Sequence, residues 1–513
     1  MPSSIVLNAL SFTWPDGSPA ISDLTSSFGN SKTGLVGLNG SGKSTLLRLI
    51  AGELRPSGGS IHVDGDVGYL PQTIPGGKKV AELLGVSDTI RAIRAIESGD
   101  VSQGHFDKLN ERVGGGWDIE TEANEALREI GVDVGLDQTA LSGGEAVLVA
   151  IAGLRLRNTE ITLLDEPTNN LDIDARERLY EMVHGWRGTL VVVSHDIRLL
   201  ELMDDTAELR DHNLRMFGGP YSAYVEQVEQ EQTAAQRDER AAEQALRTEK
   251  RQRIEAETKL ARRARSGRTD YDNKKFTTAV RNQRRSDAEV TAGKLRSQLE
   301  GHEQQAKAAL DEAQRRVRHD ASIHIDLPDP HVGSKKRLAE FRGVVMRGPE
   351  RVAIIGPNGV GKTTLLNEIQ GEQVGYLRQR FDELSDRGTV LENVGDRPEV
   401  RNRLARFLFR GEAVDRAVGT LSGGERFRVA LAKLLLADPP PQLLVLDEPT
   451  NNLDIQSVTQ LVDALRSYRG GIVVVSHDLE FLGRLGIDAW YRMLSGGALE
   501  RIDEAVAGLE PKG

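Results

Sequence analysis

Short apolar runs that stop abruptly at a glycine, a pair of carboxylates or a histidine alternate with helical stretches along most of the chain. TGLV before Gly37 and RVAII before Gly356 each read as a buried strand, and the LLRLIAG and LLNEI segments downstream read as helices. ITLLDEP and LLVLDEP are apolar runs ending in Asp165–Glu166 and Asp447–Glu448, the form of a buried parallel strand that presents acids at its C-terminal edge. Two V-V-V-S runs end at His195 and His477. Strand, loop and helix in this alternation predict α/β domains with parallel sheets. The middle of the chain differs. From Glu226 to Ser266 it is rich in Ala, Glu, Gln, Arg and Lys without proline or glycine, which predicts a long helix. Gly267, Thr269, Asp270 and Asn273 break that pattern before a second helical run from about Asp287 to Arg318, so the segment is expected to fold as a hairpin. A first arm of some 40 residues would reach about 60 Å at 1.5 Å per residue.

The two α/β stretches are copies of one another. The first contains GLNGSGKS (Gly37 to Ser44), YLPQ ending at Gln72, LSGGE (Leu141 to Glu145), LLDEPTNNLD ending at Asp172 and VSHD ending at Asp196. In the second stand GPNGVGKT (Gly356 to Thr363), YLRQ ending at Gln379, LSGGE (Leu421 to Glu425), VLDEPTNNLD ending at Asp454 and VSHD ending at Asp478. The repeat is therefore a whole domain. The second copy is shorter by 12 residues before its glutamine and by a further 27 between the glutamine and LSGGE.

Composition narrows the classes. Of 513 residues, 38% are hydrophobic and 28% charged, so some long segment must be solvated although the chain as a whole can bury real cores. The longest apolar run, Ala146 to Leu154, is nine residues. About 18 are needed to cross a bilayer, so no transmembrane helix is expected. The N-terminal MPSSIVLNALSFTW lacks the basic start and apolar core of a signal peptide, and with no cysteine the expected location is the cytoplasm. Disulfides, thiolate zinc sites and cysteine nucleophiles are excluded on the same ground. Net charge is −11, yet Ala261 to Arg285 holds nine basic residues against two acidic ones. A basic tip on a long lever inside an acidic protein is placed for phosphates, without sequence preference.

G-x-x-x-x-G-K-[S/T] is the P-loop: its glycines let backbone N–H groups point inward around phosphates, and its lysine reaches the β and γ oxygens. By chance one match turns up in about one chain in 50 of this length, so two in register, each between strand and helix, are not accidental. Lys43 and Lys362 are assigned to phosphate, Ser44 and Thr363 to a magnesium ion, Asp165 and Asp447 to the magnesium shell, and Glu166 and Glu448 to the attacking water. His195 and His477 are placed for the γ-phosphate, a role that only the duplication favours over a structural one. Each LSGGE supplies a serine and two glycines before a helix, a second anion-binding N-terminus that needs phosphate from elsewhere.

In this order the motifs resemble those of ATP-binding cassette domains, over nearly all of both halves. The resemblance implies two P-loop cassettes, residues 1–218 and 326–513, joined by a helical hairpin linker at 219–325 whose tip spans about 262–285. It further implies head-to-tail pairing, with the LSGGE of one cassette closing over ATP held by the other. Contacts to ATP would then come from Trp14, which would stack on adenine, and from Gly37, Asn39, Gly40, Ser41, Gly42, Lys43, Ser44, Thr45 and Gln72. In the second copy they would come from Gly356, Asn358, Gly359, Val360, Gly361, Lys362, Thr363, Thr364 and Gln379. Ser142, Gly143, Gly144 and Glu145, with Ser422, Gly423, Gly424 and Glu425, would close over them, and Gln72 and Gln379 would join the magnesium shell.

Twin cassettes without membrane spans, separated by a charged helical hairpin, resemble the ABC-F group. Membership implies an ATPase that binds the ribosome's tRNA exit site and sends the hairpin tip toward the peptidyl-transferase centre. Arg262, Arg263, Arg265, Arg268, Lys274, Lys275, Arg281, Arg284 and Arg285 would contact rRNA or tRNA phosphates, and Tyr271 and Phe276 would either stack on bases or pin the hairpin's end. Leu84 to Glu129 carries no basic arm, the chain ends within 35 residues of the second VSHD, and RGPERVAIIGPNGVGKTTLL resembles the antibiotic-resistance members more than the general translation factors. The alternatives are such a translation factor, a transport ATPase with a separately encoded membrane subunit, and a DNA-associated structural ATPase.

Three departures fall on the site built from the second P-loop and the first LSGGE: Leu148 stands where the second copy has Arg428, the second P-loop-to-glutamine segment is short, and Phe341 is the best but uncertain match for Trp14. Two competent but unequal sites are expected, this one the slower.

Overall fold

The computed structural model describes residues 4–100, 102–110, 116–272, 278–318, 329–369, 373–378, 383–421, 423–451 and 453–503. The chain divides into two compact units, Met1–Ser222 with Ser322–Gly513, and Ala223–Ala321.

The strands of the first cassette are β1 (Ser4–Thr13), β2 (Pro19–Phe28), β3 (Lys32–Val36), β4 (Gly58–Asp64), β5 (Val67–Leu70), β6 (Ile161–Asp165), β7 (Thr189–Val193), β8 (Asp205–Arg210) and β9 (Asn213–Gly218). Six of them form a sheet in the order β5-β6-β7-β3-β8-β9, parallel except for its last strand. β6 and β7 are buried along their whole length, as continuous apolar runs in a parallel sheet covered on both faces should be. Their side chains alternate between two cores. Leu164, Leu190 and Val192 join the helical side with Leu148 and Leu179, whereas Leu163, Val191 and Val193 join Phe12, Ile21 and Phe28. β2, β1 and β4 make a separate antiparallel sheet.

The second cassette repeats the plan with β10 (Arg337–Phe341), β11 (Val344–Arg347), β12 (Arg351–Ile355), β13 (Val374–Leu377), β14 (Leu443–Asp447), β15 (Gly471–Val475), β16 (Ala489–Met493) and β17 (Leu499–Ile502). Its sheet order, β13-β14-β15-β12-β16-β17, matches strand for strand. The 12-residue shortening now has a structural meaning: among the described residues β10 and β11 form a sheet of two strands, with no counterpart of β4. The later shortening falls on the helical side. There the first cassette has helices Ser87–Glu97, Gln103–Asn110 and Ile119–Glu129, and the second has Pro398–Leu404 followed by single 3-10 turns.

Both sheets put the same three strand ends side by side. Leu35 and Asp165 are each opposite Val193, and Ile354 and Asp447 are each opposite Val475. Consequently the glycine-rich loop, the paired acids and the histidine emerge from one sheet edge in each cassette.

The second unit is a helical hairpin. Its first helix runs Tyr221–Asp272 and its second Thr278–Arg316. The break expected at Gly267 is therefore absent: the helix continues five residues further, and the second begins at Thr278 rather than near Asp287. One glycine costs about 1 kcal/mol in a helix, which a run this rich in strong helix formers absorbs. With 52 residues the first helix is about 78 Å long. The apolar seam is thin, with Ala235, Leu246 and Ala313 buried. Polar contacts set the register: Arg253 Nη1 to Glu303 Oε2 at 3.0 Å, and the Arg318 backbone N–H donating to Gln232 Oε1 at 2.7 Å.

Candidate functional site

The two glycine-rich loops have nearly the same backbone. φ is 152° and 154° at Gly37 and Gly356, 81° and 76° at Gly40 and Gly359, and 99° and 100° at Gly42 and Gly361. Any side chain would be strained there. A Cβ on Gly42 would also lie 2.9 Å from the Ala20 carbonyl, so glycine is required twice over. Lys43 and Lys362 open the following helices yet turn back over the loops. Nζ of Lys43 donates to the carbonyls of Gly37 (2.8 Å) and Leu38 (3.1 Å), and Nζ of Lys362 to Gly356 (2.7 Å) and Pro357 (2.9 Å). Each ammonium thereby spends two of its three protons inside the loop and is held over its centre. Burial pulls both ammonium groups below their ordinary range, and the neighbouring carboxylates oppose it.

At the ends of β6 and β14 the acids take different directions. Ser44 Oγ donates to Asp165 Oδ1 at 3.0 Å, and Thr363 makes the same kind of bond to Asp447. Glu166 and Glu448 have φ of 50° and 47°, left-handed backbone that a non-glycine residue adopts only under constraint. The constraint is visible: their backbone N–H groups donate across to the Val193 and Val475 carbonyls at 2.8 and 2.9 Å. This turn aims each glutamate at the histidine of the adjacent strand. His195 Nε2 is 3.1 Å from Glu166 Oε1, and His477 Nε2 is 3.3 Å from Glu448 Oε1. Burial pushes the Glu166 carboxyl up to about 8 and that of Glu448 up to about 7, and holds both imidazoles down at about 3. Both rings are thus neutral. In the second cassette Lys362 Nζ (2.9 Å) and Asn358 Oδ1 (3.1 Å) converge on His477 Nε2 as well.

Each loop also receives a carboxylate from the opposite cassette. Asp454 Oδ2 accepts the Asn39 N–H at 3.0 Å, and Asp172 Oδ2 accepts the Asn358 N–H at 3.2 Å. The other oxygen of each aspartate caps its own helix, Asp172 Oδ1 from Ala175 N at 3.0 Å and Asp454 Oδ1 from Ser457 N at 2.8 Å. Asn358 Nδ2 further donates to the Asn170 carbonyl at 2.8 Å. The exchange is reciprocal, so the PTNNLD segments tie the cassettes together. Their spacing from the acids was evident in the chain, but nothing local pointed to a partner 415 residues away.

The remaining expected residues distribute as follows. Gln72 is exposed and lines a pocket with Asp165, Glu166, Ser142 and Gly143 of its own cassette. Ser142 and Glu145 form a capping box, Ser142 N donating to Glu145 Oε2 (2.8 Å) and Glu145 N to Ser142 Oγ (3.2 Å). A Cβ on Gly144 would come within 3.3 Å of the Leu171 side chain, a tight but relievable contact. Glu425 accepts from Arg416 Nη1 at 2.9 Å, and Gly424 approaches Ser457. Thr45 is buried, Thr364 and Gly359 are exposed, and Ser41 Oγ is buried without a hydrogen-bond partner. Gly423 opens the second signature helix, and Val360 packs against a core cluster. Trp14 follows β1, its ring edge-on to Phe12 at 5.0 Å and partly exposed. Phe341, the uncertain second match, is 3% exposed inside the core beside Val352 and Ile354, and its ring has no face free for a base. Gln379 and Ser422 lie outside the described residues, as do Lys274, Lys275 and Phe276. Arg262, Arg263 and Arg265 are exposed on the first hairpin helix; Arg268 and Tyr271 continue it, and Arg281, Arg284 and Arg285 sit on the second, with side chains outside the described set.

The donor set fits a magnesium nucleotide. Glu448 Oε1 and His477 Nδ1 are buried without hydrogen-bond partners, and a buried polar group left so is costly unless a ligand answers it. Among the described residues no cluster of three or more His, Cys, Asp or Glu forms a metal cage. One carboxylate and one hydroxyl per site are what a magnesium ion takes when phosphate oxygens and water complete its shell.

The family model described as "ABC transporter" matches residues 28–169 and 368–451. The chain is 33% identical over 512 residues to the tylosin resistance ATP-binding protein TlrC of Streptomyces fradiae, covering 88% of this chain and 90% of that one. It is 30% identical to the energy-dependent translational throttle protein EttA of Escherichia coli, covering 89% and 86%, and 30% identical to the ATP-binding protein Uup of Escherichia coli, covering 90% and 76%. Among solved structures, an archaeal ribosome recycling factor in complex with a ribosomal stalk protein superposes with a TM-score of 0.54 at 20% identity, covering 96% of this chain and 89% of that one, a likeness of fold.

Proposed function

The chain belongs to the ABC-F family of ATP-binding cassette proteins and is an ATPase, and from that premise we propose that it works on the ribosome, protecting it from an antibiotic. ATP binds at two composite sites, each a P-loop of one cassette under the LSGGE of the other. Lys43 and Lys362 hold the phosphates, with Ser44, Asp165 and Gln72, or Thr363, Asp447 and Gln379, holding magnesium. A magnesium ion there would offset the charge on the β and γ oxygens. Glu166 and Glu448 orient the attacking water, and His195 and His477, being neutral, contact the γ-phosphate through Nε2. Closure around two nucleotides is the bound form, and hydrolysis reopens the pair and releases the ribosome. The basic hairpin tip meets rRNA or tRNA phosphates near the peptidyl-transferase centre, in the cytoplasm.

The observation that carries this reading is a pair of cassettes joined by reciprocal Asp–Asn bonds in a chain whose interposed unit is a helical hairpin. Among the described residues no helix is long and apolar enough to cross a membrane, and similarity to TlrC and EttA extends over nearly nine-tenths of the chain. Ribosome co-sedimentation of Glu166→Gln, Glu448→Gln, with and without ATP and at two salt concentrations, tests it. ATP-dependent pelleting with ribosomes that weakens with salt is expected. No pelleting in any condition overturns the reading in favour of a membrane or DNA partner.

A further inference from the structure

Asp196 and Asp478 occupy equivalent places, each directly after the histidine of its cassette, and both line one small cavity where the cassettes meet. Its walls come in matched pairs: Ile173 with Ile455, His195 with His477, Asp196 with Asp478. Two pairs are mismatched: the exposed Arg198 has Glu480 as its counterpart, and the more enclosed Arg176 has an aliphatic one. Arg176, four residues beyond Asp172, has as its counterpart Val458, four residues beyond Asp454.

The Arg176 side chain is 14% exposed, with Nη1 3.4 Å from Asp196 Oδ2 and Nε donating to the Leu171 carbonyl at 3.3 Å. The Tyr180 hydroxyl donates to the same Asp196 oxygen at 2.6 Å. Asp196 is therefore answered within its own cassette. Asp478 has no such help from its side, because the position matching Tyr180 is Val462. Its Oδ1 accepts the Phe481 N–H at 2.9 Å, yet burial and the nearby Asp196 both work against its charge, and Arg176 favours it. The remaining charged groups on the cavity, Glu177, Arg198, Glu480 and Arg484, divide evenly in sign. Two carboxylates from opposite cassettes thus line one cavity with a single guanidinium, which is ion-paired to Asp196 and acts electrostatically on Asp478 and on Glu448. Such a pair without its cation carries a desolvation and repulsion cost that falls only on the closed arrangement.

We propose that Arg176 is the shared counter-ion of the paired cassettes: anchored to Asp196 in the first, it compensates Asp478 of the second, and so favours closure and positions the second site's His477–Glu448 segment. It is a positioning residue. The inference rests on ATP-driven pairing of the cassettes and is independent of the ribosome.

The chain has no cysteine, so a fluorophore pair on cysteines introduced at one exposed position in each cassette reads closure cleanly. Titrating ATP into a Glu166→Gln, Glu448→Gln background, Arg176→Met should raise the half-closing concentration about tenfold, and Arg176→Lys, which keeps a charge and the fold, about threefold. With Asp478→Asn also present, each shift should shrink to about twofold or less. Half-closing at the parent's concentration for Arg176→Lys, or shifts unchanged by Asp478→Asn, would overturn the proposal alone. A parent that shows no ATP-dependent approach would overturn the pairing as well.

Discussion

At Glu166 the backbone turns through φ 50° and at Glu448 through 47°, and the glycines of the two phosphate loops agree as closely. Around these matched centres the cassettes differ. The first has β4 and carries Trp14 beyond β1, whereas in the second, among the described residues, the antiparallel sheet has two strands and its nearest aromatic is locked in the core. The signature helix of the first has Leu148, 1% exposed, where that of the second has Arg428, its guanidinium 5.9 Å from the Phe409 ring. Conversely, the helix after PTNNLD has Arg176 in the first cassette and Val458 in the second. What this teaches is where divergence is tolerated. The strand-edge groups depend on backbone registers that admit few alternatives, while the surroundings differ without altering those registers.

The largest effect that can break this comparison is on turnover. Glu166→Gln, Glu448→Gln should lower steady-state ATP hydrolysis by about 10²-fold or more, the usual contribution of a positioned carboxylate. Taken singly, Glu166→Gln should cost severalfold more than Glu448→Gln, since it leaves only the site built from the second P-loop and the first LSGGE. Equal losses would mean that the differences around the centres have no catalytic consequence.

The two aromatics separate affinity from stability. Phe341→Ala removes a buried ring and should cost about 3–5 kcal/mol of stability, seen in chemical denaturation. Trp14→Ala should leave stability nearly unchanged and raise the ATP concentration for half-maximal turnover about tenfold, the scale of one lost base–aromatic stack. In the Glu166→Gln, Glu448→Gln background, direct ATP titration should show one of the two sites weakened and the other unchanged. If both sites weaken alike, Trp14 acts on the fold and not on the first site's nucleotide.

Much of this was legible in the chain because P-loop chemistry is local. Spacing within eight residues defines the loop, and an apolar run ending in Asp-Glu defines the strand that faces it. The helical hairpin was also legible, from composition, although Gly267 failed to end its first arm. The rest depends on contacts that no window reveals. The left-handed turn at Glu166 and Glu448 is imposed by a hydrogen bond to a neighbouring strand. Asp172 looks like an ordinary helix cap until its second oxygen is seen to reach Asn358. Arg176 sits in a helix whose pattern gives no sign that its side chain lies at the cassette boundary rather than in solvent. The differences in segment length, by contrast, are readable in the chain but gain meaning only from the sheet, where among the described residues the second cassette lacks a counterpart of β4.

The smallest effect expected is on the pH dependence of stability in the nucleotide-free protein, and it sharpens the comparison most finely. Burial raises Glu166 from 4.5 to about 8 and Glu448 from 4.5 to about 7. Between the ordinary value and the raised one, the folded state keeps a proton that the unfolded chain has released, so stability falls as pH rises through that window. The histidines contribute the opposite slope lower down: lowered from 6.5 to about 3, each adds stability as pH rises across that interval and nothing above it. From pH 7 to 8 the histidines contribute little, Glu166 titrates through its main range and Glu448 completes its own, so Glu166 makes the larger contribution. Across that single unit the parent should lose about 1–2 °C of thermal midpoint. Glu448→Gln should lose slightly less than the parent, and Glu166→Gln should lose the least. Parallel curves for all three would show that the two buried carboxyls sit in equivalent surroundings, and the asymmetry would then be confined to Trp14, Arg428 and Arg176.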